Sequence, residues 1–155
     1  MDQIIVATPV GKIAIDYQDD FVLNVHQVAD QARAKTNKDP FAVEIKKQFT
    51  AYFSRELTEF NLPFLFEQGT DYQLMVWDQI RKISFGETKT YGEIAKKIKS
   101  GPRAVGNACR RNKLLLIVPC HRVVSASGSG GFMGDDKGKL VKRKQWLLDH
   151  ENSIN

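Results

Sequence analysis

The chain has 155 residues, 42% of them hydrophobic and 26% charged, with a formal net charge of +5. That balance belongs to a folded globular protein of one ordinary domain or two small ones, and excludes a disordered chain. No apolar run approaches the roughly 20 residues of a membrane span, Met1–Val10 reads as no secretory leader, and two cysteines are too few for a disulfide scaffold.

The start reads as β structure. Ile4-Ile5-Val6 and Ile13-Ala14-Ile15 flank Thr8-Pro9-Val10-Gly11, a hairpin turn signal, and Phe21–Val25 is a third strand. Polar residues 30–40 read as a loop. Phe41, Ile45, Phe49 and Phe53 then recur every fourth residue, the pattern of an amphipathic helix packed on that sheet. Asn61-Leu62-Pro63 and Gly69-Thr70 break the pattern and predict a linker over 60–70. Domains are therefore expected at 1–68 and 69–155. Thr70-x-x-Gln73 is a capping box ahead of Leu74, Trp77 and Ile80 on one helical face. A loop from Ser84 to Lys89 leads to a second box, Thr90-x-x-Glu93, opening a short helix that Ser100-Gly101-Pro102 stops. A basic helix from about Arg103 to Arg111 follows. Two short helices around a tight turn suit a helix-turn-helix or any helical hairpin. Leu114–Val118 is wholly apolar and reads as a buried extended segment delivering Pro119-Cys120-His121-Arg122-Val123-Val124. Ser127–Gly131 reads as a mobile loop. Leu140, Lys144, Leu147 and Leu148 mark a terminal helix ending near His150-Glu151. The class is α/β (α+β).

Charge is uneven along this order. Residues 1–71 hold seven Lys/Arg against eleven Asp/Glu, and residues 72–155 hold sixteen against seven. The basic half suits a polyanionic partner or a solvated lysine-rich surface.

The chemistry concentrates at Cys120. A cysteine after an apolar run is ordinarily inert packing, because burial raises a thiol's pKa and weakens its nucleophile. Here a histidine and an arginine follow at once, which suits a buried nucleophile supplied with a base. In an extended segment neighbouring side chains point to opposite faces, so His121 would reach the thiol only through a water or a bend at Pro119. A carboxylate should orient the imidazole; Glu151 is a candidate, or else simply a solvated helix end.

Pro119-Cys120-His121-Arg122-Val123 resembles the active-site motif of the O6-alkylguanine-DNA alkyltransferase family. The resemblance extends over roughly residues 70–151, through Thr90-Tyr91-Gly92-Glu93-Ile94-Ala95, Arg103-Ala104-Val105-Gly106-Asn107-Ala108, Asn112, and Lys144-Gln145-Trp146-Leu147-Leu148-Asp149-His150-Glu151. It implies a small ribonuclease-H-like sheet-plus-helix domain followed by a mostly helical winged-helix or helix-turn-helix domain. It implies irreversible transfer of an alkyl group from O6-alkylguanine in double-stranded DNA to Cys120 after base flipping, each molecule acting once. O4-alkylthymine is left open as a further substrate.

The implied roles follow. Glu151, His121 and a water would take the thiol proton, and Asn112 would tie the helix-turn-helix to the active-site segment. Tyr91 would hydrogen-bond the flipped guanine and crowd its phosphate, and Arg103 would fill the vacated stack. Ala104, Gly106 and Ala108 would let the recognition helix lie close to DNA. Arg110, Arg111, Lys113 and Arg122 would attract phosphate, with a purely structural role as the alternative for Arg122. The carbonyls near Cys120 and Val123 would accept from the guanine amine, with Ser125, Phe132 and Lys144 as further pocket candidates.

The resemblance implies no cofactor, no membrane partner, a monomer, and an intracellular site (cytoplasmic in a prokaryote, nuclear in a eukaryote). Some members bind zinc through cysteines in the N-terminal domain, but none precedes Cys109 here, so no metal is expected. The family's usual Gly-Tyr is replaced by Gly131-Phe132 and a longer charged stretch through Lys139, which puts the preferred alkyl size in question. Cys109 reads as packing or as a second reactive thiol. Two other classes compete: a non-enzymatic binder that flags alkylguanine, against which Cys120 argues, and a cysteine hydrolase, which would leave the basic helix pair unexplained.

Overall fold

A computed structural model describes residues 1–34, 37–126 and 138–152. These fall into two compact units, one of Met1–Glu67 with Lys113–Leu115, the other of Gln68–Asn112 with the residues from Leu116 onward.

The first unit holds an antiparallel meander, β1 (Asp2–Thr8), β2 (Gly11–Gln18) and β3 (Phe21–Gln27), in the order β1-β2-β3. Gly11 closes the first hairpin at φ 107°, a value glycine adopts without strain. Asp19 and Asp20 close the second, both left-handed (φ 52° and 64°), the backbone that matches the twist of paired strands. Helix α1 (Pro40–Phe53) starts from Asp39, whose carboxylate accepts from the Ala42 N–H, with Pro40 in the first turn, where its missing N–H costs nothing.

The buried face of α1 is Ala42, Ile45, Phe49 and Tyr52, not the four-residue repeat read from sequence. A helix turns about 100° per residue, so a strict repeat of four drifts about 40° per step off the face. Phe41 and Phe53, at its ends, are half-buried. The stretch expected as a linker is pinned as far as Leu65: Val22 N–H donates to Pro63 O at 2.8 Å, and Leu65 N–H to Val22 O at 3.0 Å. Val25 pairs in the same way with Lys113 O and the Leu115 N–H, so both ends of the β3 edge are covered.

The second unit contains α2 (Asp71–Arg81), β4 (Lys89–Thr90), α3 (Tyr91–Lys97), α4 (Pro102–Arg110), a 3-10 turn at Cys120–Arg122, β5 (Val123–Val124) and α5 (Lys139–Asn152). Both sequence-read capping boxes form, at Thr70/Gln73 and Thr90/Glu93. Gly69 precedes the first at φ 148°, where a Cβ would stand 2.8 Å from the Trp77 ring. Val76, Trp77, Ile80, Ile94, Val105, Ala108, Leu147 and Leu148 are buried. The Trp77 indole N–H donates to Ala108 O at 2.9 Å, which satisfies that buried donor and ties α2 to α4.

Leu114–Val118 is not one extended strand. Leu116 adopts φ 70°, and Leu115 and Ile117 are half-buried. Five apolar residues in a row carry no period, so sequence could not show the reversal. Strand β5 then pairs parallel with β4. Among the described residues no helix is long and apolar enough to cross a membrane.

Candidate active site

The bend before Cys120 is made by Pro119. Its φ of −80° and ψ of 67° are those of an inverse γ-turn, closed by Cys120 N–H to Val118 O at 2.8 Å. Arg122 N–H to Pro119 O at 2.9 Å continues it as a 3-10 turn. Cys120, His121 and Arg122 are all buried.

The bend does not bring the imidazole onto the sulfur. Among the described residues no hydrogen bond joins His121 to Cys120. Instead, His121 Nε2 meets Glu151 Oε2 at 2.7 Å, both side chains about 1% exposed. Arg122 clamps the same carboxylate, Nε to Oε1 at 2.9 Å and Nη2 to Oε2 at 3.0 Å, and its Nη1 donates to Ile83 O at 2.7 Å. The Gly86 N–H also points at Oε1, at 3.4 Å.

Glu151 is thus no solvated helix end. Of the two readings of Arg122, phosphate contact and a structural role beside the active site, the second fits: its guanidinium is committed to a buried fork, the geometry arginine matches to carboxylate. Burial pushes the Glu151 carboxyl up, but the hydrogen bonds and charges of His121 and Arg122 outweigh it and hold it well below the usual carboxylate range. Burial lowers His121, against the pull of Glu151. The imidazole is therefore neutral at pH 7, carrying its proton on Nε2 toward the carboxylate and leaving the Nδ1 lone pair available.

The thiol has two other neighbours. Asn112 Nδ2 donates to Cys120 Sγ at 3.3 Å and to Val118 O at 2.9 Å, while the Asn112 N–H caps Cys109 O at 3.2 Å. One asparagine therefore joins the end of α4 to the turn that carries the cysteine. The second is Cys109, whose carbonyl the Asn112 N–H holds. The influence of Cys109 and burial push the Cys120 thiol well up, so it stays protonated at neutral pH and needs a base to react. Sequence offered no signal for the influence of Cys109, because residues 109 and 120 share no element.

Lys144 is fully buried on α5 and donates from Nζ to Val123 O at 2.7 Å. Its Nζ lies 3.5 Å from the Tyr91 hydroxyl and 5.6 Å from the Tyr91 ring centre. Burial lowers Lys144 to about 8 and raises Tyr91 to about 12. The Val123 carbonyl therefore already has a donor, with one lone pair left over. Ser125 is half-buried just past β5. Phe132 lies outside the described residues, as do Ser127–Gly131 and most of the charged stretch after them.

Along α4, Arg103, Asn107 and Arg110 are exposed at helical spacing, with Ala104 and Gly106 half-exposed beside them and Val105, Ala108 and Cys109 buried behind. A Cβ on Gly106 would lie 3.9 Å from Tyr91 Cε1, ordinary contact, so the Tyr91 ring packs on the helix backbone here. Arg111 is exposed at the helix C-cap. Among the described residues no cluster of three or more His, Cys, Asp or Glu is placed to hold a metal ion.

A buried thiol held by an asparagine, and a histidine locked to a carboxylate, in one unit with an exposed arginine-bearing helix, are the arrangement of a candidate cysteine-nucleophile site beside a cationic surface. Sequence comparison gives that arrangement its family. Residues 71–153 match the family described as 6-O-methylguanine DNA methyltransferase, DNA binding domain. The methylated-DNA–protein-cysteine methyltransferase of Methanosarcina mazei is 40% identical, over 96% of both chains. That of Mycobacterium bovis is 38% identical over 94% of this chain and 89% of its own. The crystal structure of the Mycobacterium tuberculosis O6-methylguanine methyltransferase superposes with a TM-score of 0.85 at 32% identity, covering 99% of this chain and 94% of that one. A structure of the Mycobacterium tuberculosis relative in complex with DNA gives 0.83 at 36% identity, over the same shares. The chain belongs to the O6-methylguanine-DNA methyltransferase family.

Proposed function

We propose that this protein repairs double-stranded DNA by moving the alkyl group of O6-alkylguanine irreversibly onto Cys120. The observation that carries the assignment to Cys120 is the buried array Asn112–Cys120–His121–Glu151 within the same unit as the exposed arginine face of α4.

Stacked guanine hides its O6 atom, so the nucleotide must be extruded, at a cost of a few kcal/mol. The α4 face approaches the DNA; Arg103 fills the vacated stack, and Arg110 and Arg111 hold phosphates. Ala104 and Gly106 let the helix backbone come close. His121 Nδ1, through one water, takes the proton of the Cys120 thiol, and Glu151 stabilises the imidazolium that forms. Asn112 stabilises the sulfur as its charge develops.

The thiolate attacks the alkyl carbon. The carbon–sulfur bond forms as the carbon–oxygen bond to guanine breaks. The departing purine takes a proton at its ring nitrogen from the Tyr91 hydroxyl, which its raised pKa keeps protonated. Lys144, beside that hydroxyl, restores the proton. The proton on the imidazolium is shed to solvent, so the net exchange is thiol hydrogen for alkyl. The free lone pair of Val123 O accepts from the guanine amine, and Ser125 and Phe132 complete the pocket. A thioether has no easy leaving group, so each molecule reacts once, as a monomer and without a cofactor. The protein acts where the DNA is, inside the cell.

The test is intact mass after mixing with a limiting O6-methylguanine oligonucleotide, followed by peptide mapping. The expected result is a gain of one methyl, about 14 Da, on Cys120, stoichiometric with guanine restored. Lesion-selective binding with no mass change would instead make the protein a damage-flagging binder.

A further inference from the structure

The basic half of the chain carries more positive charge than the α4 face presents. Of its sixteen Lys/Arg, that face and its C-cap hold Arg103, Arg110 and Arg111. Four others gather elsewhere in the same unit. Lys82 at the end of α2, Lys89 on β4, and Lys96 and Lys97 on α3, all exposed, line a cavity of about 390 Å³ whose apolar wall includes the buried Ile83 and Ile94. Glu93 is the one acidic residue of that lining, and its carboxylate already accepts from the Thr90 N–H at 3.1 Å. Lys82 meets Asp78, outside the lining, at 3.5 Å; Lys89, Lys96 and Lys97 form no ion pair among the described residues.

The cavity is turned away from α4. A helix rotates about 100° per residue, so Glu93 stands about 200° round α3 from Tyr91, the residue that packs on α4 at Gly106. Gln79, also in the lining, stands about 200° round α2 from Trp77, whose indole bonds the Ala108 carbonyl of α4. Lys82, Lys96 and Lys97 each sit at a helix C-terminus, where a cation complements the dipole. That local reason does not bring them round one cavity with Lys89.

We propose that this cavity takes a backbone phosphate of a second DNA duplex while α4 holds the first, so that the protein passes between DNA segments without release into solvent. This role rests on DNA repair as the protein's function and goes beyond alkyl transfer, which needs one duplex only. The volume suits a ligand of nucleotide size. Lysines supply mobile point charges that hold phosphate whatever the base sequence, and Ile83 and Ile94 give the sugar an apolar wall. A concave wall lined by one sign of charge focuses its field on an incoming polyanion. Leaving one duplex outright breaks every phosphate contact before a new one forms; with a second segment seated, the contacts exchange in turn.

The experiment follows dissociation of the full-length protein from a short, unmodified, fluorescein-labelled duplex by stopped-flow anisotropy, as the concentration of unlabelled duplex is raised. Expected for the wild type is a rate that climbs with competitor, at least about fivefold over the range, because the second segment binds before the first leaves. In Lys89→Gln/Lys97→Gln, and separately in Lys82→Gln/Lys96→Gln, the climb should shrink at least about fivefold and its salt slope should fall by about two, one for each lysine. Affinity for the first duplex, and methyl transfer from a short O6-methylguanine duplex, should match the wild type. A wild-type rate independent of competitor would overturn the proposal. So would variants that keep the full climb, or that lose first-duplex affinity in proportion, which would place these lysines on the lesion-bearing duplex. Unmodified DNA keeps the result independent of whether Cys120 accepts a methyl group. The four side chains are exposed, so their replacement leaves the fold intact, and either variant decides if the other fails to fold.

Discussion

Replacing Glu151 by Gln separates what the carboxylate does for the fold from what it does for chemistry. Glu151 receives Nε2 of His121 and two nitrogens of Arg122 within 3.0 Å, all buried. Glutamine keeps the shape and one acceptor oxygen but turns an amide N–H₂ toward existing donors. The Arg122 guanidinium is then buried without a counter-charge. Breaking such a pair costs about 3–5 kcal/mol. The lower figure applies, because one acceptor survives. At about 2–4 °C per kcal/mol for a chain of this size, the Tm should fall by about 6–12 °C at pH 7.

The gap should close in acid. The folded-state pKa of Glu151 lies below its unfolded value of about 4.3, so the carboxylate's contribution is complete above that pH and fades as the pH falls toward the folded value. The Gln variant has no such dependence.

In the reaction, the variant loses the group that fixes the His121 tautomer and supports the imidazolium. Single-turnover alkylation, measured below the variant's Tm, should slow about 10²-fold at pH 7. It should recover toward the wild-type rate at high pH, where hydroxide ionises the thiol unaided. An unchanged rate and pH profile in a folded variant would refute the proton relay. A lost rate without alkaline recovery would assign Glu151 to structure alone.

Arg122→Met should destabilise by about 3 kcal/mol, since it strands the Glu151 charge; its salt dependence of DNA binding, read by fluorescence anisotropy, should match the wild type because the guanidinium is buried. A shallower salt slope would return Arg122 to the phosphate contacts. Arg103→Ala should slow repair of duplex DNA more than reaction with free O6-benzylguanine, and equal losses on both would remove it from base extrusion. Gly69→Ala should lower stability by about 1–3 kcal/mol in urea denaturation, from the φ of 148° and a Cβ 2.8 Å from Trp77. A neutral result would mean that the Trp77 ring gives way.

Much of the architecture was legible because its causes are local. Both capping boxes formed where Thr70/Gln73 and Thr90/Glu93 predicted them, since a side chain three residues from a free N–H needs no distant partner. The hairpin at Thr8–Gly11 formed for the same reason. The drift of the α1 face to Tyr52 was a matter of phase, and the pinned stretch at Pro63–Leu65 depended on the free edge of β3, which no local pattern announces.

By itself the sequence marked the candidate nucleophile Cys120, its histidine neighbour, the basic helix and the family resemblance, because each is written in adjacent residues or in a short helical period. Tertiary structure decided what surrounds the thiol. Glu151 stands thirty residues from His121 and becomes its hydrogen-bond partner only when α5 docks on the 3-10 turn. Arg122 reads equally as a phosphate contact or as a structural residue until that same carboxylate holds it. Cys109, one cysteine in a helix, is tied to the Cys120 turn by Asn112, which donates its backbone N–H to Cys109 O and its side chain to Cys120 Sγ. The partner of a buried polar group is set by packing, and packing is a property of the folded chain.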